Sequence, residues 1–222
     1  LGLSPELLSA FLITHTHSDH ISGLRTLLKK TDCPILATPR TCRELCCRLE
    51  GIDGRLMELE APVQMGEVGI TPVITSHDAP GSCGWRLDTG DGSVGFLTDT
   101  GYVTEEAADL LPGVDLAILE ANHDVEALRS GPYPYYLKQR ILGTEGHLCN
   151  EDAAAFVVTL AEQGAGEIVL AHLSKDNNTP AMALNAVSSA LSAAGMSPVL
   201  TVAPRDTVGP CHTVIRRAVC KK

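Results

Sequence analysis

The sequence predicts an α/β protein with helices layered outside its sheets. Three observations predict it. Short apolar runs alternate with helical patterns along most of the 222 residues, a meander of short strands fills the middle, and several apolar runs end on a histidine or aspartate. The length and the 44% hydrophobic content suit one layered domain over residues 1–222, with no repeat, low-complexity tract or linker dividing it. No apolar run approaches the ~20 residues needed to span a bilayer. The start of the chain shows no basic segment followed by a cleavage site, so a cytoplasmic protein without membrane association is expected. The net charge of −10 argues against a broadly basic nucleic-acid surface, though not against a local basic strip. Eight cysteines without a CxxC pair read as reduced thiols rather than a disulfide framework. Cys42 and Cys46, four apart, form at most a weak metal clip.

The elements follow in order. Ala10–His15 reads as a buried strand, Ile21–Lys30 as a helix with Leu24, Leu27 and Leu28 on one face, and Pro34–Thr38 as a strand. A helix over 40–51 closes at Gly51. Between Met57 and Gly95 lie short strands with a hairpin signal at Gly90-Asp91-Gly92. Val94–Gly101 is a strand running into a turn, and the next helix is capped by Thr104 and stopped by Pro112. Val114–Asn122 is a strand. A helix capped by Asn150 precedes the strand Glu167–Ser174. Thr179 and Pro180 open a last helix, and Ser197–Ala203 is a last strand. The segment LRSGPYPYYLKQR reads as a loop.

The chemistry concentrates in Thr14-His15-Thr16-His17-Ser18-Asp19-His20. Three imidazoles and a carboxylate fall within six positions directly after an apolar run. Alternate residues at a strand end point the same way, so His15 and His17 can grip one ion, and the following turn can swing Asp19 and His20 toward a second. Borderline divalent metals favour such N/O donors. A polar loop rich in histidine by chance is the alternative. Further ligands should come from other strand ends: His77 after PVIT, Asp99 after GFLT and His172 after EIVLA, with His147 just before a helix. Taken singly, each is as readily a satisfied core or turn residue.

THTHSDH resembles the HxHxDH signature of the metallo-β-lactamase superfamily. SHDAPGSCGW, FLTDTGY, LEANHD, YPYYLKQRILGTEGHLCNEDAA and LAHLSKDNN resemble its YycJ/WalJ branch, so the likeness covers nearly the whole chain. It implies an αββα sandwich carrying two divalent ions, Zn²⁺ or Mn²⁺, and 5′-to-3′ exonuclease chemistry on double-stranded DNA. Residue by residue, it implies that His15, His17 and His77 hold the first ion and Asp19, His20 and His172 the second, with Asp99 bridging. Asp19 also counts among the catalytic residues. His147 would protonate the leaving oxygen and Glu120 would orient it; His123 is a neighbour of the shell, a substrate contact or a core residue. Only 14 residues precede His15, whereas the superfamily begins with a strand pair, so roughly forty residues of the first sheet are expected to be missing at the N-terminus.

Two ions about 3.5–4 Å apart would activate water near neutral pH and clamp a phosphoryl oxygen. A bridging Asp99 would argue against lactam hydrolysis as the main activity. Lys138 and Arg140, with Arg129 and Tyr133, Tyr135 and Tyr136, could hold phosphates and stack an end base; a solvated loop is the plain alternative. Lys175, Asn177 and Asn178 follow His172 and could reach phosphate from the rim. The basic tail of Arg216, Arg217, Lys221 and Lys222 reads as a solvated end. Two other readings stay open: another hydrolase of the same fold (a cyclic phosphodiesterase, RNA processor, lactonase or promiscuous β-lactamase) and a metal-free scaffold.

Overall fold

The computed structural model describes residues 2–214. Cys220 and the basic tail singled out above lie outside the described residues.

Strands β1 (Phe11–Leu12), β2 (Ile35–Ala37) and β3 (Leu56–Glu58) form a parallel sheet in that order. Strands β4 (Val63–Met65), β5 (Val68–Ile74), β6 (Cys83–Asp88), β7 (Ser93–Leu97), β8 (Leu116–Glu120), β9 (Glu167–Ala171) and β10 (Val199–Val202) form a second sheet, ordered β10-β9-β8-β7-β6-β5-β4. From β4 to β7 the strands are an antiparallel meander, and from β7 to β10 they are parallel. The helices are α1 (Ser18–Ile21), α2 (Leu24–Leu27), α3 (Pro39–Arg48), α4 (Glu105–Leu110), α5 (Val125–Ser130), α6 (Tyr135–Leu142), α7 (Asn150–Glu162) and α8 (Pro180–Ala193). None is long and apolar enough to cross a membrane.

The period-2 alternation of strand side chains builds the layers. In β2, Ile35 and Ala37 join Leu24, Cys42 and Leu45 of α2 and α3 on one face. Leu36 points the other way, against Ile70, Cys83 and Trp85 of the large sheet. On the far face of that sheet, Leu97, Leu119, Ile168 and Leu170 meet Val157 and Leu160 of α7 and Val187 and Leu191 of α8. The result is helix, sheet, sheet, helix, as the αββα expectation holds. Strands β8 and β9 are covered on both faces and accordingly read as nearly continuous apolar runs. Each Leu or Ile sealed there contributes roughly 1.5–3 kcal/mol of burial free energy.

Local chemistry sets most boundaries. Thr104 Oγ1 accepts from Ala107 N, and Thr179 Oγ1 accepts from Met182 N with Pro180 as the first helical residue. Four expectations need correction. The helix over Ile21–Lys30 is two short turns, α1 and α2, parted at Ser22–Gly23, where glycine's poor helix propensity breaks the run. The helix before Gly51 starts earlier, at Pro39 behind the cap Thr38, and stops at Arg48; Gly51 (φ +73°) serves the turn after it. The cap of α7 is Cys149, whose thiol accepts from Asp152 N, while Asn150 is the first helical residue and pairs with Asn178. LRSGPYPYYLKQR, expected to be a loop, contains the end of α5 and most of α6, because Gly131 and the two prolines punctuate between helices rather than within one.

Candidate metal centre

The strands deliver their polar ends to one edge. In the large sheet β5, β7, β8 and β9 run in one direction, so the residues just beyond them gather on one side. His77 follows β5, Asp99 follows β7, Glu120 ends β8 and His172 follows β9. The histidine-rich motif leaves the small sheet after β1. It is tied across to the large sheet where Cys83 N donates to Thr14 O at 3.1 Å, and Asp19 and His20 then ride on α1. The strand expected over Ala10–His15 is therefore only Phe11–Leu12 in ladder terms, and His15 lies in the loop beyond it.

The seven expected ligands converge. The donor atoms of His15, His17 and His77 lie within 4.8 Å of one another, as do those of Asp19, His20 and His172, and those of His15, His20 and Asp99. Asp99 sits in the middle, with His20 Nε2 at 3.3 Å, His172 Nε2 at 3.5 Å, and His77 Nε2 and His147 Nδ1 both at 3.8 Å. Two buried atoms argue that the centre is built for cations. His15 Nε2 and Asp99 Oδ2 have no hydrogen-bond partner, although buried polar atoms are nearly always satisfied. His15 is pushed down to about 2 by burial and by the surrounding imidazoles, so its ring stays neutral and able to donate a lone pair. Five imidazoles and two carboxylates are a donor set that borderline divalent ions accept.

Neighbouring groups aim these rings. His77 Nδ1 donates to Gly146 O at 3.1 Å, leaving Nε2 toward the centre. Thr14 Oγ1 lies 3.1 Å from His15 Nδ1 and 3.2 Å from His20 Nδ1. Glu120, fully buried, accepts through Oε1 from His147 Nδ1 at 2.8 Å and His172 Nδ1 at 2.9 Å, and through Oε2 from Thr100 N at 3.0 Å and Leu148 N at 3.2 Å. Its oxygens also lie within 4.8 Å of Asp99, His147 and His172, yet four hydrogen bonds already occupy them. Burial alone would raise its pKa, but the bonds from His147 and His172 outweigh that and hold the carboxylate well below its usual range. Asp99 and His172 both adopt left-handed backbone, at φ 59° and 56°. Asn122 Nδ2 holds the second by donating to His172 O at 2.9 Å. Gly146 is a position of close approach: a Cβ there would fall 2.1 Å from Ile141 O.

The outlying candidates separate. Asp19 is the exposed member of its triad. Arg140 reaches the rim, its Nε 2.5 Å from Asp78 Oδ2, and Lys175 is exposed beside the His172 loop. Lys138 and Asn177 are corrected as substrate contacts. Lys138 Nζ is committed to Arg129 O and Gly131 O at the end of α5, and Asn177 is fully buried, its Nδ2 donating to Ser174 Oγ. A lysine stem that reaches a helix end and an amide behind a tight loop serve the fold first. Asn178 is likewise buried, bonded to Asn150 and Ala121 O. His123 is buried with both ring nitrogens unpartnered, close enough to feel the charges of Glu120 and His147 but in none of the ligand groups found among the described residues. Neither Cys42 nor Cys46 belongs to a ligand group among the described residues.

Asp78 escaped the sequence reading, although it adjoins His77. Its Oδ1 is 3.6 Å from both His17 Nε2 and His77 Nε2 while Oδ2 meets Arg140. Thr14 was equally invisible as a ring-orienting hydroxyl. A groove of about 1110 Å³ opens beside the centre, with His77, Asp78, Arg40 and Arg43 among its lining residues.

Known proteins share this architecture. A profile of the beta-lactamase superfamily domain matches residues 2–173. The chain is 38% identical over 188 residues to the exodeoxyribonuclease WalJ of Streptococcus pneumoniae, covering 82% of this chain and 70% of that protein. It is 36% identical over 190 residues to the exodeoxyribonuclease YycJ of Bacillus anthracis, covering 84% and 72%. Among solved structures, the metallo-beta-lactamase fold protein YhfI from Bacillus subtilis superposes with a TM-score of 0.67 at 20% identity, over 91% of this chain and 77% of that one. With the fold, the convergent ligand triads and these relatives together, the chain belongs to the metallo-β-lactamase superfamily of metal-dependent hydrolases.

Proposed function

We propose that this protein is a dinuclear phosphodiesterase acting as a 5′-to-3′ exonuclease on double-stranded DNA. The observation that carries the reading is the pair of ligand triads meeting at Asp99, with the His147–Glu120 pair alongside. Relatives named exodeoxyribonuclease at 36–38% identity support the choice of substrate. In this reading His15, His17 and His77 hold one ion, Asp19, His20 and His172 the other, and Asp99 both, with Zn²⁺ and Mn²⁺ the ions that suit the donors. A bound pair supplies Lewis acidity and activates water near neutral pH.

The chain's own groups do the rest. Glu120 holds His147 through Nδ1–H, which leaves Nε2 as the nitrogen that passes a proton to the departing 3′ oxygen. The same carboxylate oxygen fixes His172, so one buried group aligns the proton donor and a ligand together. Arg140, beside Asp78, and the exposed Lys175, three residues after His172, contact the phosphates that position the strand.

The test incubates metal-loaded protein with duplex DNA labelled at either end, with bis-p-nitrophenyl phosphate and nitrocefin alongside. Shortening from the 5′ end is the expected result. His147→Ala should keep its ions by elemental analysis and lose roughly 10²–10⁴-fold in rate. Turnover of nitrocefin alone, or an undiminished His147→Ala rate, overturns the reading.

A further inference from the structure

Helix α6 stands at the lip of the centre. Its C-terminal end is anchored there: Arg140 meets Asp78, Ser76 Oγ donates to Thr144 O at 2.7 Å, and Asp78 N donates to Glu145 O at 3.2 Å. Its start is anchored too. Lys138 grips the end of α5, and Tyr133 OH donates to Asp176 Oδ2 at 2.9 Å, in the loop after His172. Against this fixed background two large side chains in the first turn are bare. Tyr135 is 77% exposed and Tyr136 is 74% exposed, and neither makes a hydrogen bond among the described residues.

Helical geometry tells the two apart. At 100° per residue, Leu137 and the buried Ile141 define the inner face. Tyr136 and Arg140, four apart, share the flank on which Arg140 reaches Asp78 and, through it, the His17 and His77 rings 3.6 Å further on. Lys138 and Tyr135 lie on the opposite flank, away from Arg140. Tyr136 therefore lies about 6 Å along the helix axis from a cation at the lip of the cleft. That distance is roughly two base steps of stacked DNA.

We infer that Tyr136 is a base-stacking residue that holds a nucleobase of the strand being cut, about two nucleotides from the phosphate that Arg140 takes at the lip of the cleft. The inference rests on the nuclease reading above. An exposed flat ring held on a helix anchored at both ends and flanked by a guanidinium is what an unpaired base uses as a platform. Tyr133 is excluded by its hydroxyl's commitment to Asp176, and Tyr135 by its direction.

The test measures binding without turnover. A fluorescein-labelled eight-nucleotide thymidine strand and its abasic counterpart are titrated into EDTA-treated protein and followed by anisotropy. Wild type should bind the base-bearing strand more tightly than the abasic one. Tyr136→Ala should weaken the former by about 5- to 100-fold and remove the preference. Tyr136→Phe should restore it, and Tyr135→Ala should match wild type. The circular-dichroism spectrum and melting temperature of the Tyr136→Ala protein should match wild type, as expected for an exposed side chain, which shows the fold intact. A base preference that survives Tyr136→Ala, or falls equally with Tyr135→Ala, overturns the inference and leaves the nuclease reading standing. Wild type that binds neither strand and cuts no DNA overturns both.

Discussion

Replacing Glu120 by glutamine is the sharpest probe of the site's construction. The change conserves volume and removes one charge, so it creates no cavity. Yet all four groups facing the carboxylate are donors: His147 Nδ1 and His172 Nδ1 on Oε1, Thr100 N and Leu148 N on Oε2. The amide either turns its NH₂ against Thr100 N and Leu148 N, or turns it to the two rings and forces them into the tautomer that carries its proton on Nε2, and at full burial no water replaces a lost acceptor. Hydrogen bonds to a charged group are worth about 1.5–3 kcal/mol each, so the orientation that loses two of them sets an upper figure of about 3–6 kcal/mol of destabilisation. For a chain of this length that lowers Tm by on the order of 10 °C. Thermal and urea unfolding at pH 7.5 with EDTA present isolates this cost from ion binding. His172 also loses its orienting partner, so affinity for the second ion, read by metal-buffered titration, should fall roughly 10–100-fold. Glu120→Gln protein with wild-type Tm and wild-type ion affinity would refute the argument that this carboxylate organises the centre.

Two further predictions concern groups outside the ligand set. His123 is buried without a ring partner, and burial holds its pKa down to about 4. The folded protein thus prefers the neutral ring, while the unfolded chain protonates it below pH ~6.5. Its contribution is complete above that pH and shrinks as pH falls to about 4. His123→Phe should therefore gain stability over wild type across that window, by up to about 3 kcal/mol from 2.5 pKa units. A urea-unfolding difference that stays constant with pH would refute this. Burial also raises the Cys42 and Cys83 thiols to about 11 and 12, while Cys46 and Cys47 are exposed. Iodoacetamide mapped by mass spectrometry should label Cys46 and Cys47 in native protein, and Cys42 and Cys83 only after denaturation. Equal labelling of Cys83 and Cys47 would contradict the packing between the sheets.

Much of the centre was legible because ligands sit where short apolar runs end. PVIT, GFLT and EIVLA each announce a strand, and the residue just past it inherits the cleft. Helix capping was equally readable where a hydroxyl did it, as at Thr104 and Thr179. It failed at Cys149, whose thiol is a rare cap, and at Gly23, where a heptad-like leucine pattern hid a break. The α5–α6 pair escaped because three turn-forming residues within four positions, Gly131, Pro132 and Pro134, mask short helices on either side. Lys138 and Asn177 were misjudged for another reason. Their residue types advertise phosphate contact, but which backbone carbonyl or hydroxyl they meet depends on chain segments that only the fold brings near. The same holds for Asp78, whose partner Arg140 is 62 residues away.

The two left-handed residues, Asp99 and His172, set stability and activity against each other. Side chains with a Cβ are disfavoured in that conformation by on the order of 1 kcal/mol or more, a penalty that glycine escapes. Selection for thermal robustness alone would drift both sites to glycine and silently empty the cleft of its central carboxylate and one imidazole. Consensus or library campaigns that screen this scaffold by melting temperature should therefore fix positions 99 and 172 in advance, because the assay itself rewards their loss.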